Sequence, residues 1–104
     1  MNTVYVEIDL PKVIESKKQI LSNIISLPEN LYFVGGNALD KSDIDKCLTY
    51  FDLNKPIAVI NQGFMRYLDF NEKKLFAENV YYIVNQNNGV WITCDLTPAK
   101  FIVN

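Results

Sequence analysis

The sequence predicts an α/β fold built on a mainly parallel sheet of about four strands. Four short segments rich in β-branched and aromatic residues alternate with segments in which apolar residues recur at helical spacing. Three of the four strand segments are unbroken apolar runs, which is typical of parallel strands covered on both faces. A chain of 104 residues has room for one core, so we expect a single domain over residues 1–104.

The first half of the chain predicts strand, helix, strand and helix. The strands are residues 4–8 (VYVEI) and 31–34 (LYFV). Pro11 suits the first turn of the helix between them, and we expect that helix to end at Pro28. Ser42 is the expected N-cap of the second helix. Its apolar residues fall at positions i, i+3, i+4 and i+7, namely Ile44, Cys47, Leu48 and Phe51.

The second half repeats the alternation. Residues 57–60 (IAVI) predict a third strand and residues 90–94 (VWITC) a fourth. Asp69 and Glu72 have the spacing of a capping box at the start of the helix between them. That helix should end at the Asn-Asn-Gly of residues 87–89. Its expected inward residues are Phe76, Val80, Ile83 and Val84.

The composition argues against several functions. The net charge is −2 and no basic run is present, so we expect no binding to nucleic acid. No apolar stretch approaches the roughly 18 residues of a membrane span, so we expect no membrane binding. Histidine is absent, which removes His-based general bases and Ser/His or Cys/His nucleophile pairs.

The two cysteines, Cys47 and Cys94, lack the spacing of a metal site, and we expect no metal. We expect both thiols to be buried and reduced. The start, MNTVYVEIDL, has no basic segment leading into an apolar core, so no signal peptide is expected. These features favour a cytoplasmic location.

Helices between parallel strands place the carboxyl ends of the strands at one edge of a Rossmann-like three-layer sandwich, where ligands bind. The residues that follow the strands are Glu7, Asp9, 35–40, 61–63 and Asp95. A carboxylate such as Asp9 can accept hydrogen bonds from ribose hydroxyls, or it can simply favour the N-terminus of the next helix. Asn37 could pair with an adenine edge, and Gly35-Gly36 could admit a ligand or form a plain turn. These residues alone leave both interpretations open.

Three segments resemble a known family in the order in which they occur. YVEIDLPKVIESKK resembles the second-strand motif of class I S-adenosylmethionine (SAM) methyltransferases of the leucine carboxyl methyltransferase or polyketide O-methyltransferase type. PIAVINQGFMRYLDFNEKKLF, residues 56–76, is similar to the fourth-strand motif of that family and is the most specific match. NNGVWITCDL resembles the close of its fifth strand.

The resemblance implies a SAM site and no catalytic residue that we can name. It implies that Asp9, with Glu7 beside it, holds the ribose of SAM. Asn37 stands where the family has an Asp facing the adenine amino group, with Ala38 near the ring, and Gln62 stands for a Glu near the cofactor. The two amides keep a carbonyl acceptor but lose the charge. The implied reaction is O-methylation of a carboxyl or hydroxyl group on a small molecule or peptide.

The glycine-rich E-x-G-x-G loop of the family does not occur in these 104 residues. We therefore expect a truncated SAM-methyltransferase fold, from the centre of the domain, and no catalysis by this chain alone. Two arrangements stay open: the first and third strands pair directly, in the order 2-1-3-4, or another copy fills the gap in a homodimer through open strand edges.

Two other functions are consistent with parts of the sequence. A receiver-like domain shares the alternation, but Asn61 stands where that domain needs an Asp. A non-catalytic interaction or dimerisation module is the main alternative. Its apolar patch would be formed by Tyr81, Tyr82, Trp91 and Phe101, which could equally be ordinary core.

Overall fold

A computed structural model describes residues 3–95 and confirms the α/β class with parallel strands. The elements, in chain order, are β1 Tyr5–Asp9, α1 Pro11–Ile24, β2 Leu31–Gly35, α2 Lys41–Leu48, β3 Ala58–Asn61, a 3-10 helix Met65–Tyr67, α3 Phe70–Gln86 and β4 Val90–Thr93. The chain divides between Asp52 and Leu53 into two compact units, here called unit 1 and unit 2. The expectation of a single domain stays a prediction.

Unit 1 contains a parallel pair, β1 with β2, connected through α1. The register runs from Tyr5 opposite Leu31 to Asp9 opposite Gly35, so both strands end at the same edge. Pro11 occupies the first turn of α1, as predicted. The end of that helix was predicted too late. It stops at Ile24, and Ile25 is already extended.

Helix α2 begins two residues earlier than an N-cap at Ser42 predicts. Asp40 is the N-cap, and its carboxylate accepts hydrogen bonds from the backbone N–H of Ser42 at 2.9 Å and from the Ser42 hydroxyl at 2.8 Å. Ser42 is therefore a donor to the cap rather than the cap itself. The predicted inward face is confirmed for Ile44, Cys47 and Leu48, which are all buried.

Unit 2 repeats the arrangement with β3 and β4, parallel and connected through α3. The capping box predicted at Asp69 and Glu72 is present with both of its hydrogen bonds. At the other end Asn88 adopts a left-handed conformation (φ 48°) and the N–H of Gly89 bonds to the carbonyl of Val84. This is the 6→1 bond that follows the end of many helices, so the predicted stop is confirmed.

The core of unit 2 lies between α3 and one face of its strand pair. Phe76, Val80 and Ile83 are buried as predicted, together with Ile57 and Met65, and Val84 is half-buried. The ring of Phe76 meets the edges of two further rings, Phe64 at 4.9 Å and Trp91 at 5.9 Å between centroids.

The opposite face of β3 and β4 is exposed, although we expected cover on both faces. Ile60 and Ile92 lie opposite each other in the register and are 71% and 53% exposed. Within the described residues β1 is hydrogen-bonded to β2 in unit 1, and β3 to β4 in unit 2. The direct pairing of the first and third strands stays a prediction. None of the described helices has the length and apolar character needed to cross a membrane.

Candidate functional site

The carboxyl edge of β1 and β2 places Asp9 beside the loop that follows β2. The backbone carbonyl of Asp9 accepts a hydrogen bond from the N–H of Gly36 at 2.9 Å. Its exposed carboxylate accepts one bond through Oδ1, from the N–H of Leu10 at 2.8 Å. Within the described part of the chain Oδ2 accepts none, so that oxygen can receive a hydroxyl donor from a ligand.

Glu7 lies two residues earlier on the same strand, so its side chain is on the same face as that of Asp9. Its carboxylate is half-buried and forms an ion pair with Lys17, which extends from α1. Glu7 therefore ties helix to strand, and its carboxylate has less capacity left for a ligand than that of Asp9.

An aspartate of α2 holds the loop after β2. The Asp43 carboxylate accepts a hydrogen bond from the backbone N–H of Asn37 at 2.9 Å, and its other oxygen is 3.2 Å from Lys46 Nζ. The backbone donor of Asn37 and then the lysine lower the pKa of Asp43. The carboxylate thus stays charged and fixes the start of the loop.

The side chain of Asn37 makes a turn with its own backbone. Its Oδ1 accepts a hydrogen bond from the N–H of Leu39 at 2.9 Å, which encloses half-buried Ala38 between the two residues. Asn37 itself is exposed, and its NH₂ group is the part that a ligand can reach. The carbonyl acceptor that we expected to meet adenine is already engaged, so this amide is better placed to donate to a ring nitrogen.

In unit 2 the loop after β3 closes around one carboxylate, that of Asp95. The backbone N–H groups of Gly63, Phe64 and Met65 donate to it at 2.6, 2.9 and 2.9 Å. The side-chain amide of Asn61 donates as well, at 2.8 Å. These four donors stabilise the charged form and so lower the pKa of Asp95, and the N–H of Met65 contributes most.

Asn61 connects the two strand ends through both groups of its amide. Its Nδ2 donates to the Thr93 hydroxyl at 3.0 Å as well as to Asp95, and its Oδ1 accepts from the indole N–H of Trp91 at 2.6 Å. A side-chain amide offers two N–H donors on one atom and an acceptor on another, and Asn61 uses all three. This explains why an apolar strand ends in Asn. The next residue but one, Gly63, has φ +73°, which turns the loop toward Asp95.

Gln62 is exposed in this loop, between Asn61 and Gly63, and its side chain makes no hydrogen bond within residues 3–95. The structure therefore brings Asp9, Asn37 and Ala38 to one edge in unit 1 and presents Gln62 in unit 2. Their binding roles stay predictions.

The contacts made by Asp43, Asp95 and Trp91 were not predicted from the sequence. Their principal partners are backbone amides and another side chain's amide, which leave no pattern in the sequence. One signal was present: Asn61 and Asp95 both follow strands, and parallel strands end at a common edge.

The two cysteines differ, which corrects the expectation that both are buried. Cys47 is buried in the core of unit 1, and burial raises the pKa of its thiol. Cys94 is exposed, because it follows the last paired residue of β4. Among residues 3–95 no group of three acidic or sulfur side chains is placed to hold a metal ion.

Comparison with known families gives one result. The family model described as leucine carboxyl methyltransferase matches residues 1–80. The match covers both predicted ligand loops and ends inside α3, so β4 and Asp95 lie beyond it. The chain matches no curated protein and no solved structure.

Proposed function

The chain belongs to the leucine carboxyl methyltransferase family, a family of SAM-dependent methyltransferases, and we propose that it binds SAM at its strand ends as part of an O-methyltransferase. The observation that carries this proposal is the edge of β1 and β2. There Asp9 offers an uncommitted carboxylate oxygen, and Asn37 offers an amide NH₂ group beside it in the next loop.

The polar groups at this edge fit the adenosine half of SAM. Asp9 Oδ2 can accept a hydrogen bond from a ribose hydroxyl, and carboxylates at this position of such sheets do so in nucleotide sites. Asn37 would donate to an adenine ring nitrogen, and Ala38 would supply a small apolar contact for the ring. We assign Glu7 a supporting role, because Lys17 already pairs with it.

Gln62 is the proposed contact from the loop after β3. When bound, SAM supplies a methyl group on a positively charged sulfur, so alignment with the acceptor oxygen provides much of the rate. A neutral amide is a suitable neighbour for that cofactor, although it attracts positive charge less than a carboxylate would.

The acceptor that we propose is a carboxyl or hydroxyl group on a small molecule or peptide. The 104 residues contain no E-x-G-x-G loop, which in this family contributes much of the binding to the methionine half of SAM. We therefore expect this chain to bind the cofactor through its adenosine half and not to transfer methyl groups by itself.

Calorimetric titration with S-adenosylhomocysteine (SAH) tests the proposal. We expect micromolar binding, weakened about tenfold or more by Asp9→Ala, which corresponds to about 1.4 kcal/mol. Asp45→Ala is the matched control, because Asp45 is an exposed acid of α2 that has no role in the proposed site. Absence of heat up to millimolar SAH would overturn cofactor binding by this chain.

One observation favours a second function, a non-catalytic interaction module that pairs with a second copy. The exposed face of β3 and β4 carries Ile60 and Ile92, and each strand has a ladder partner on one side in the described residues. Tyr81 is also 64% exposed, whereas Trp91 is half-buried and Phe101 lies outside the described residues. Sedimentation velocity decides: a dimer that Ile60→Thr dissociates supports this function, and a monomer at all concentrations opposes it.

A further inference from the structure

We propose that Asp95 is the positioning residue for the loop that presents Gln62. This inference rests on the proposed cofactor site but concerns a residue beyond the family match, which ends at residue 80. Asp95 has no direct part in the proposed site. It acts through the backbone of residues 63–65, the segment immediately after Gln62.

The geometry requires both oxygens of the carboxylate. Oδ1 accepts from the N–H of Gly63, while Oδ2 accepts from Phe64, Met65 and the Asn61 side chain. A neutral amide at this position would keep one oxygen and turn an NH₂ group toward donors. The loop would then lose at least one of its bonds and gain a donor facing a donor.

Asp95 is itself held in place at its own backbone. Its N–H donates to the Thr93 hydroxyl at 3.0 Å, and that hydroxyl also accepts from Asn61. The orientation of the carboxylate is thus fixed from the end of β4, and the loop after β3 follows it. Because Gln62 lies between Asn61 and Gly63, two residues that both bond to Asp95, its exposed position is set from both sides.

The same network includes a built-in probe. Trp91 is the only tryptophan in the sequence, and its indole N–H donates to Asn61, whose amide in turn donates to Asp95. Release of the loop frees Asn61 and removes the partner of the indole. The tryptophan emission should therefore shift to longer wavelength whenever Asp95 loses the loop.

The experiment compares Asp95→Asn, Asp95→Ala, Gln62→Ala and the double variant Asp95→Asn with Gln62→Ala, with Asp45→Asn as the matched control. Amide hydrogen exchange and tryptophan emission are measured without ligand. We expect exchange at Gly63, Phe64 and Met65 to rise about tenfold or more in Asp95→Asn, and further in Asp95→Ala, while α3 keeps its protection. Unchanged exchange in these three amides would overturn the proposal.

SAH affinity then tests whether Asp95 acts through Gln62. Each single variant should weaken binding by a similar factor, of about tenfold, and the double variant should weaken it no further. Factors that multiply in the double variant would show independent action and overturn the proposal. If the unmodified chain binds no SAH, the proposed function fails, and the exchange and emission results alone decide whether Asp95 positions the loop.

Discussion

The two units each contain a loop that follows a strand and is fastened by an aspartate, but the aspartates come from different distances along the chain. In unit 1 the loop after β2 is held by Asp43, six residues from its partner Asn37. In unit 2 the loop after β3 is held by Asp95, which is 32 residues from Gly63 and 30 from Met65.

The Asp43 contact is local in the sequence, whereas the Asp95 contact depends on the pairing of β4 with β3. The Asp43 contact can form as soon as α2 forms, because both partners lie within one turn and a short loop. The Asp95 contact must wait until β4 pairs with β3, and closing a longer loop costs more entropy. The conformation of the Gln62 loop therefore depends on the folding of unit 2 as a whole.

The largest expected effect is that of Gly89→Ala, which should destabilise unit 2 with its Asp95 contacts and leave the Asp43 contact of unit 1 in place. A Cβ at residue 89 would lie 2.1 Å from the backbone oxygen of Ile57, the atom that accepts from the N–H of Val90. Backbone cannot move aside as a flexible side chain can, so we expect the free energy of unfolding of unit 2 to fall by about 3 kcal/mol. Urea unfolding followed by Trp91 emission measures this.

Gly63→Ala is the matched control for that substitution. A Cβ at residue 63 meets nothing within 4 Å, and the cost comes from φ +73° alone. We expect the free energy of unfolding to fall by about 1 kcal/mol, which is the ordinary penalty for a residue with a Cβ in left-handed conformation. Equal losses in the two variants would contradict the close approach at Gly89.

The same contrast explains what the sequence could and could not predict. Alternating strands and helices, the proline at the start of α1, the capping box and the Asn-Gly stop of α3 are local patterns, and all are confirmed. The roles of Asp43 and Asp95 were not predicted, because backbone N–H donors are the same at every residue type. Asp40 and Ser42 are both good caps, so only the backbone geometry distinguishes them.

Helix caps offer the next comparison. Asp69→Ala removes one half of a reciprocal capping box, and Asp40→Ala removes a cap that receives two bonds from Ser42. We expect each to cost about 1 kcal/mol, with Asp→Asn variants close to the unmodified chain. Asp69→Ala should also raise amide exchange at Gly63, because α3 packs on β3 and β4, and Asp95, which bonds to Gly63, follows β4. Raised exchange at Asn37 instead would contradict the division into two units.

Acid should release both loops. The pKa values of Asp43 and Asp95 are both lowered in the folded chain, through hydrogen bonds to the charged form. Each contact therefore stabilises the fold fully above the ordinary carboxyl pKa, and that contribution is lost as the pH falls through the lowered pKa. NMR titration of the Asn37 and Gly63 amides from about pH 6 to about pH 2 follows both events. Asp95→Asn should abolish the pH-dependent change of the Gly63 amide signal and leave that of Asn37. Loss of the change at Asn37 as well would contradict the independence of the two aspartate contacts.

The smallest expected effect is a difference in how salt changes the pKa values of Asp43 and Asp95. Lys46 helps to lower the pKa of Asp43, and its ammonium group is largely exposed, so counter-ions can screen the pair. The donors that lower the pKa of Asp95 are backbone amides and one side-chain amide, which carry no net charge to screen. At about 1 M NaCl, where the screening length is about 3 Å, the pKa of Asp43 should rise toward its ordinary value while that of Asp95 stays in place. Lys46→Gln should raise the pKa of Asp43 in dilute buffer as salt does. An equal rise of the pKa of Asp95 in salt would mean that an ionic partner contributes to the contacts of Asp95.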